Sequence, residues 1–194
     1  MRVFAKQGFF NATISRIARE AGVADGTIYL YFRNKDDILI QFFNYKAKQV
    51  FQGFKREAEQ ASDAIEMLFR LIRRHLEEFQ KDRNMAIVYQ SEFHQIRRIA
   101  EPQIREMYQL YSDLIARIIE QGQQEGSIRQ DLYLGLVKRM VIGTVDETIS
   151  TWLHSGGRYD LAALAQPLLD LFLRGIASPR AWQPSLNDEP AQQG

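Results

Sequence analysis

The ten residues from Gly26 to Lys35, GTIYLYFRNK, gather side chains suited to gripping a polyanion. Gly26 and Thr27 stand where a helix would begin, and the backbone N–H groups at a helix start are free to donate to phosphate. Tyr29 and Tyr31 each offer a ring for a thymine methyl and a hydroxyl for a phosphate. Lys35 falls in the first turn of the next helix, where its charge opposes the helix dipole and is better spent on an outside anion. Tyr29, Tyr31 and Phe32 have a plainer reading as filling for a small local core, and Phe32 is assigned there.

These groups need a frame, and the preceding residues supply one. Thr13 is a fitting N-cap, and Ile14, Ile17, Ala18 and Ala21 follow at the spacing of one helical face. Gly22 sits where a helix ends on a residue of positive φ. The turn Val23-Ala24-Asp25-Gly26 then leads to a second short helix, Thr27–Phe32. Two short helices joined by a glycine-containing turn make a helix-turn-helix, whose second helix reads the major groove while caps, amides and a cation hold phosphates. The expected DNA-contacting residues are Thr13, Gly26, Thr27, Tyr29, Tyr31 and Lys35. Small residues at 18 and 22 allow the helices to cross closely, with Val23 and Ile28 plugging the angle between them.

The charge distribution agrees with that reading. The net charge is only +1, but residues 1–48 hold eight Lys/Arg against four acids, and the remaining 146 hold 17 against 20. A basic first quarter on a mildly acidic remainder suits a DNA-reading head on a neutral body.

Residues 13–35 carry a specific resemblance. TISRIAREAGVADGTIYLYFRNK is similar to the N-terminal signature of the TetR-family repressors, T-x-x-x-I-A-x-x-A-G-V-x-x-G-T-[IL]-Y-x-[YH]-F-x-x-K, with every anchor in place. The resemblance implies an all-α protein: a helix-turn-helix DNA-binding domain at 1–45, a helical ligand-binding and dimerisation domain at 46–176, and a flexible tail at 177–194. It implies a homodimeric repressor on palindromic double-stranded operator DNA, controlled by a small-molecule effector. Only Met1–Gln7 precede Gly8, where the family's first helix usually runs longer, so either the true start lies upstream or this head is lean. Asp25 stands where many members carry a basic or hydroxyl residue and is expected to repel phosphate.

Beyond the head the pattern stays helical. Ile65, Leu68, Phe69, Ile72, Leu76 and Phe79 form one apolar stripe behind a Ser62-Asp63 cap, and Ile104 to Ile119 form a second behind Pro102. Asn34 caps a helix from Lys35 through Phe42 and onward to Ala58. A helix over 132–154 is apolar on two sides: Val137, Val141, Thr144, Val145, Thr148 and Trp152 on one, Ile142, Ile149 and Leu153 on another. The second side, with the stripe 161–172, is expected to meet another subunit. Asp146 lies in line with Ile142 and Ile149, as a paired interface charge or a polar group in a pocket. Pro167 marks a kink or a late restart of the last helix.

Several chemistries are excluded. No cysteine is present, which removes disulfides, cysteine-ligated zinc and thiol nucleophiles. Neither the three histidines nor any glycine-rich loop falls at metal-ligand, nucleophile-elbow or phosphate-loop spacing, so no metal, cofactor or enzyme activity is expected. His94 beside Glu92 is read as a buried hydrogen-bonded pair or a polar pocket group. No apolar run nears the ~18 residues of a membrane span and the N-terminus has no secretory pattern, so the cytoplasm is the expected location.

The body's candidate ligand residues are Phe69, Ile72, Tyr89, Phe93, His94, Arg97, Arg98, Arg105, Tyr108 and Tyr111. Aromatics at helical spacing make either simple core or the wall of an apolar cavity. The arginines, with Arg73 and Arg74 near, make either a solvated surface or a guanidinium cluster for an anionic head group. MAIVYQSEFHQ, GTVDETISTWL and YDLAALAQPLLDLFLRGI resemble the body of the family's fatty-acid-degradation regulators. That implies long-chain acyl-CoA as the effector. The alternative is a multidrug or bile-acid-type sensor controlling an efflux pump, with Glu92, Asp146 and Glu147 as carboxylates for cationic drugs.

Overall fold

A computed structural model describes residues 1–99 and 101–174, with all their side chains except those of 93–99, 101, 103, 104 and 107. The expected tail at 177–194 lies outside the described residues. The chain forms α1 (Arg2–Asn11), α2 (Ile14–Ala21), α3 (Asp25–Tyr31), α4 (Lys35–Glu59), α5 (Ala64–Lys81), α6 (Arg83–Ile99), α7 (Glu101–Glu125), α8 (Leu134–His154), a single 3-10 turn (Ala162–Leu164) and α9 (Ala165–Arg174). There is no strand among the described residues.

Local capping starts the helices where the sequence indicates. The Thr13, Asn34 and Asp63 side chains each accept the N–H of the residue three further on, opening α2, α4 and α5. Glu66 completes the α5 cap by accepting the N–H and the hydroxyl of Ser62, each at 2.7 Å. With Arg70 donating as well, these bonds hold the Glu66 carboxyl down at about 2. Gly22 closes α2 with φ 71°, and the Val23 N–H then reaches Ala18 O at 3.0 Å.

Three features differ from expectation. The second head helix runs Asp25–Tyr31 rather than Thr27–Phe32, because Asp25 enters its first turn and accepts the Ser15 hydroxyl. Asp25 therefore ties α2 to α3 before it can act on phosphate. Val23 does not plug the helix crossing: it is 39% exposed, and Ile28 fills that place alone. The domain boundary expected at 45/46 lies within α4, which runs on to Glu59 much as the Lys35–Ala58 helix was expected to and joins head to body. The stripe 161–172 is divided by the 3-10 turn, and Pro167 lies in the first turn of α9, where its missing N–H is harmless.

The body packs α5 at its centre against α4, α7, α8 and α9. Its core takes Leu68, Ile72 and Leu76 from α5, Ile115 and Ile118 from α7, and Val141, Val145, Ile149 and Trp152 from α8. Both apolar sides of α8 point inward: Ile142 and Ile149, on the side expected to meet another subunit, are buried along with Val141, Val145 and Trp152. Leu136 and Met140 of α8, each 52% exposed, and Leu171 and Leu173 of α9 stand outward instead.

Candidate functional site

Two regions of the chain are built to meet something else. The first is the outer face of α3. Ile28 is buried and Phe32 half-buried against the head, which leaves Tyr29 59%, Leu30 80% and Tyr31 72% exposed. Three large side chains held in water at consecutive positions of a seven-residue helix gain nothing from the fold, and such exposure marks a contact surface. Gly26 is exposed, with open space where a Cβ would stand, so an outside group can approach the backbone there. Thr27 is half-buried beside it, and Thr13 is occupied as the cap of α2. Leu30, 80% exposed, carries no assignment in the sequence reading.

Lys35 behaves differently from the free cation expected. Its Nζ donates to the carbonyl oxygens of Phe9 at 2.9 Å, Phe10 at 2.9 Å and Ala12 at 3.4 Å, and stands 4.6 Å from the centre of the Phe9 ring. All three ammonium hydrogens have protein acceptors, so Lys35 secures the end of α1 and has none spare for a phosphate.

The second region is a cavity of about 120 Å³ in the body. Phe43, Lys46, Ala47, Val50, Phe51 and Phe54 of α4 form one wall; His75, Glu78 and Phe79 of α5, Met85 and Tyr89 of α6, Tyr108 and Tyr111 of α7, and Ile142 and Asp146 of α8 form the rest. The lining is aromatic and interlocked. His75 stacks on Phe79 with ring centres 5.3 Å apart, Tyr111 meets His75 edge-on at 5.1 Å, and Tyr89 meets Phe79 at 5.1 Å.

Within this apolar space lies a small polar cluster. The Tyr111 hydroxyl and His75 Nδ1 are 2.8 Å apart. Burial drives the His75 imidazole down to about 4, so at neutral pH the ring is uncharged. The pair then has two polar hydrogens and spends one on their mutual bond, which leaves one donor for a guest. Burial pushes the Asp146 carboxyl up to about 6. The Tyr89 and Tyr111 hydroxyls are raised too, first by burial and then by the charge of Asp146. Such a space takes an elongated apolar molecule and can engage one polar group along it.

The structure brings three of the ten expected ligand residues to this cavity: Tyr89, Tyr108 and Tyr111. Ile72 lies in the solid core, and Phe69 lines an outer groove with Glu57, Arg70 and Arg73. Arg105 lies elsewhere again, beside Pro102, Glu106 and Gln109. The side chains of Phe93, His94, Arg97 and Arg98 lie outside the described residues. Arg73 and Arg74 are taken up by Glu77 and Glu78, each at 2.9 Å. Glu92 accepts the Phe9 N–H of α1, and its expected pairing with His94 lies outside the described side chains.

Sequence reasoning missed the whole α4 wall and His75, and left Asp146 open between two roles. One signal was present: His75 falls on the apolar stripe between Ile72 and Phe79, where a polar ring needs a buried partner. Among the described residues no group of three or more His, Asp or Glu is placed to hold a metal ion. No described helix is long and apolar enough to cross a membrane.

Comparison with known proteins bears on both regions. Residues 1–42 match the bacterial regulatory proteins of the tetR family, and residues 43–175 match the C-terminal region of YsiA-like proteins. The fatty acid metabolism regulator protein of Bacillus subtilis strain 168 is 38% identical over 176 residues, 91% of each chain. The structure of the transcriptional regulator FadR from Bacillus subtilis in complex with stearoyl-CoA superposes with a TM-score of 0.84, covering 91% of this chain and 95% of that one. The fatty acid degradation regulator FadR from Bacillus halodurans, 36% identical, gives a TM-score of 0.85 over 90% of this chain and 91% of that one.

Proposed function

The chain belongs to the TetR family of bacterial regulators, and on that footing we propose that it represses fatty-acid-degradation genes and leaves its operator when long-chain acyl-CoA binds. The observation that carries the ligand assignment is the aromatic-walled cavity between α4, α5, α6, α7 and α8, in a chain 38% identical to a regulator whose structure contains stearoyl-CoA. An acyl chain fills such a space, and the single free donor of the His75–Tyr111 pair offers one hydrogen bond to a carbonyl or hydroxyl along it. The phosphates of CoA call for cations, and Arg97, Arg98 and Arg105 are assigned to them.

The protein acts as a homodimer in the cytoplasm. The half-exposed Leu136 and Met140 of α8 and Leu171 and Leu173 of α9 make the self-complementary face. Two heads then present two α3 helices to a palindrome whose half-sites lie about one helical turn apart. Gly26 and Thr27 approach the phosphates, while Tyr29, Leu30 and Tyr31 meet the groove.

A cationic-drug sensor is the second reading, favoured by Asp146 alone. Glu92 is committed to Phe9, and Glu147 is exposed on the outward side of α8.

The experiment is a titration of the protein bound to an operator selected from random DNA, read by fluorescence anisotropy. Release should strengthen about fourfold per added methylene until the cavity is full, which is what about 0.8 kcal/mol per buried CH₂ gives. Free CoA and acetyl-CoA should not release the DNA. A response flat with chain length, or release by lipophilic cations alone, overturns the acyl-CoA reading.

A further inference from the structure

Residue 9 is held by its main chain from two sides. Its N–H donates to Glu92 Oε1 of α6 at 3.0 Å, and its carbonyl accepts from Lys35 Nζ of α4 at 2.9 Å. The arrangement depends on Gly8, which breaks α1 with φ 73° and ψ 162° and so turns the Phe9 N–H away from the helix ladder. Glu92 is only 6% exposed, and α1 packs chiefly on α6. The bond is therefore a buried polar connection between head and body, set within the apolar packing of Val3, Phe4 and Phe9.

Both helices that hold Phe9 also wall the cavity. On α6, Met85, Tyr89 and Glu92 fall at i, i+4 and i+7, so one face carries two cavity residues and then the bond to α1. On α4, Phe43 lines the cavity eight residues after Lys35, about 12 Å along the same helix. The rings of Phe43 and Tyr89 meet at a tilt in the cavity wall, with centres 6.3 Å apart, and so join α4 to α6 there. A guest that parts α4 from α6 at those rings pulls Glu92 and Lys35 in different directions, and the single residue between them cannot follow both.

We propose that Glu92 is a positioning residue that, with Lys35, clamps the Phe9 main chain and makes the α4–α6 separation legible to the DNA head. The proposal rests on the acyl-CoA reading for the guest. With the cavity empty, both bonds hold and α1 fixes the head for operator binding. With the cavity filled, the Phe9–Glu92 bond opens and α1 is freed from the body. A ligand acts on DNA only through such a difference between two states.

Two measurements test this. The first compares operator affinity with and without saturating stearoyl-CoA for wild type, Glu92→Leu and Glu92→Gln, with direct titration of stearoyl-CoA into each protein. Glu92→Leu should bind stearoyl-CoA within about twofold of wild type, while the ligand's effect on operator affinity shrinks about tenfold or more. Glu92→Gln keeps an acceptor oxygen and should restore most of the effect. An unchanged ligand effect in Glu92→Leu overturns the clamp, even if that variant melts at a lower temperature.

The second measurement needs no variant, so a Glu92→Leu protein that fails to fold leaves the proposal exposed to test. Hydrogen exchange at the Phe9 amide of the wild-type protein should accelerate about tenfold or more on adding stearoyl-CoA. Unchanged protection with ligand bound overturns the clamp. Absence of stearoyl-CoA binding to wild type overturns the ligand reading instead, and the two failures are distinct.

Discussion

In the head, Tyr29, Leu30 and Tyr31 stand in water on a helix of seven residues, whereas in the body His75, Tyr111 and Asp146 are enclosed by five helices. The outward group is held by bonds that stay local: the Thr13 cap, the Gly22 turn and the Ser15–Asp25 bond span ten residues or fewer. The inward group is held by contacts between residues far apart in the chain, such as His75 with Tyr111 and Phe43 with Tyr89. Chemistry directed outward needs a short rigid mount, and chemistry directed inward needs a whole bundle. Mutations in one region should therefore leave the other's binding intact.

The largest effect expected from this separation comes from the head. Removing both exposed rings with Tyr29→Ala and Tyr31→Ala should cost about 100-fold in operator affinity, since good groove contacts are worth about 1–3 kcal/mol each. Melting temperature and stearoyl-CoA affinity should hold, because neither ring supports the core. Parallel calorimetry and anisotropy check this. A drop in ligand affinity would break the separation.

The same contrast explains what could be read from the sequence. Thr13, Gly22 and Asn34 each act on residues within one helical turn, so their roles follow from type and spacing. The motif that unites them follows for the same reason. Lys35 misleads because its partner is not local: it answers to α1, more than twenty residues earlier. The α4 wall of the cavity was hidden because Val50, Phe51 and Phe54 look like ordinary filling until α5 and α7 pack opposite them. The bond from Phe9 to Glu92 was hidden for the same reason, since the two lie 83 residues apart.

A middle-sized effect should arise in the cavity. Val50→Ala trims half-buried bulk from the α4 wall without touching the head. The space gained is on the scale of two methylenes, so the preferred acyl chain should lengthen by about two carbons, with differences of about fourfold per methylene between neighbouring lengths. Operator affinity without ligand should stay within about twofold. A chain-length series against both proteins checks it, and an unmoved optimum would show that Val50 does not bound the chain.

The smallest effect separates the regions by acidity. In the head, the Arg33 N–H and the Gln41 amide donate to Asp37 and hold its carboxyl below the usual value of 3.8, so it adds stability above pH 3.8 that is lost as pH falls further. In the cavity, burial raises Asp146 from 3.8 to about 6. The folded state then binds the Asp146 proton more tightly than the unfolded chain does. That contribution is complete below pH 3.8 and is lost as pH rises through 6. His75 does the reverse: lowered from 6.5 to about 4, it adds stability above pH 6.5 that disappears as pH falls to 4. Between pH 4 and 6 the two cavity groups therefore pull the stability curve in opposite senses and largely cancel. Asp146→Asn should unmask the His75 slope, with stability rising from pH 4 to 6.5, and His75→Phe should unmask the Asp146 slope, with stability falling from pH 4 to 6. Asp37→Asn should lower stability by a constant amount across that window without altering its slope, and the difference should shrink only below pH 3.8. Urea unfolding at half-unit steps from pH 3.5 to 7 reads all three. Parallel curves for wild type and Asp146→Asn across pH 4 to 6 would mean that Asp146 is solvated like Asp37, and the cavity would lose its claim to be a separate, water-poor interior.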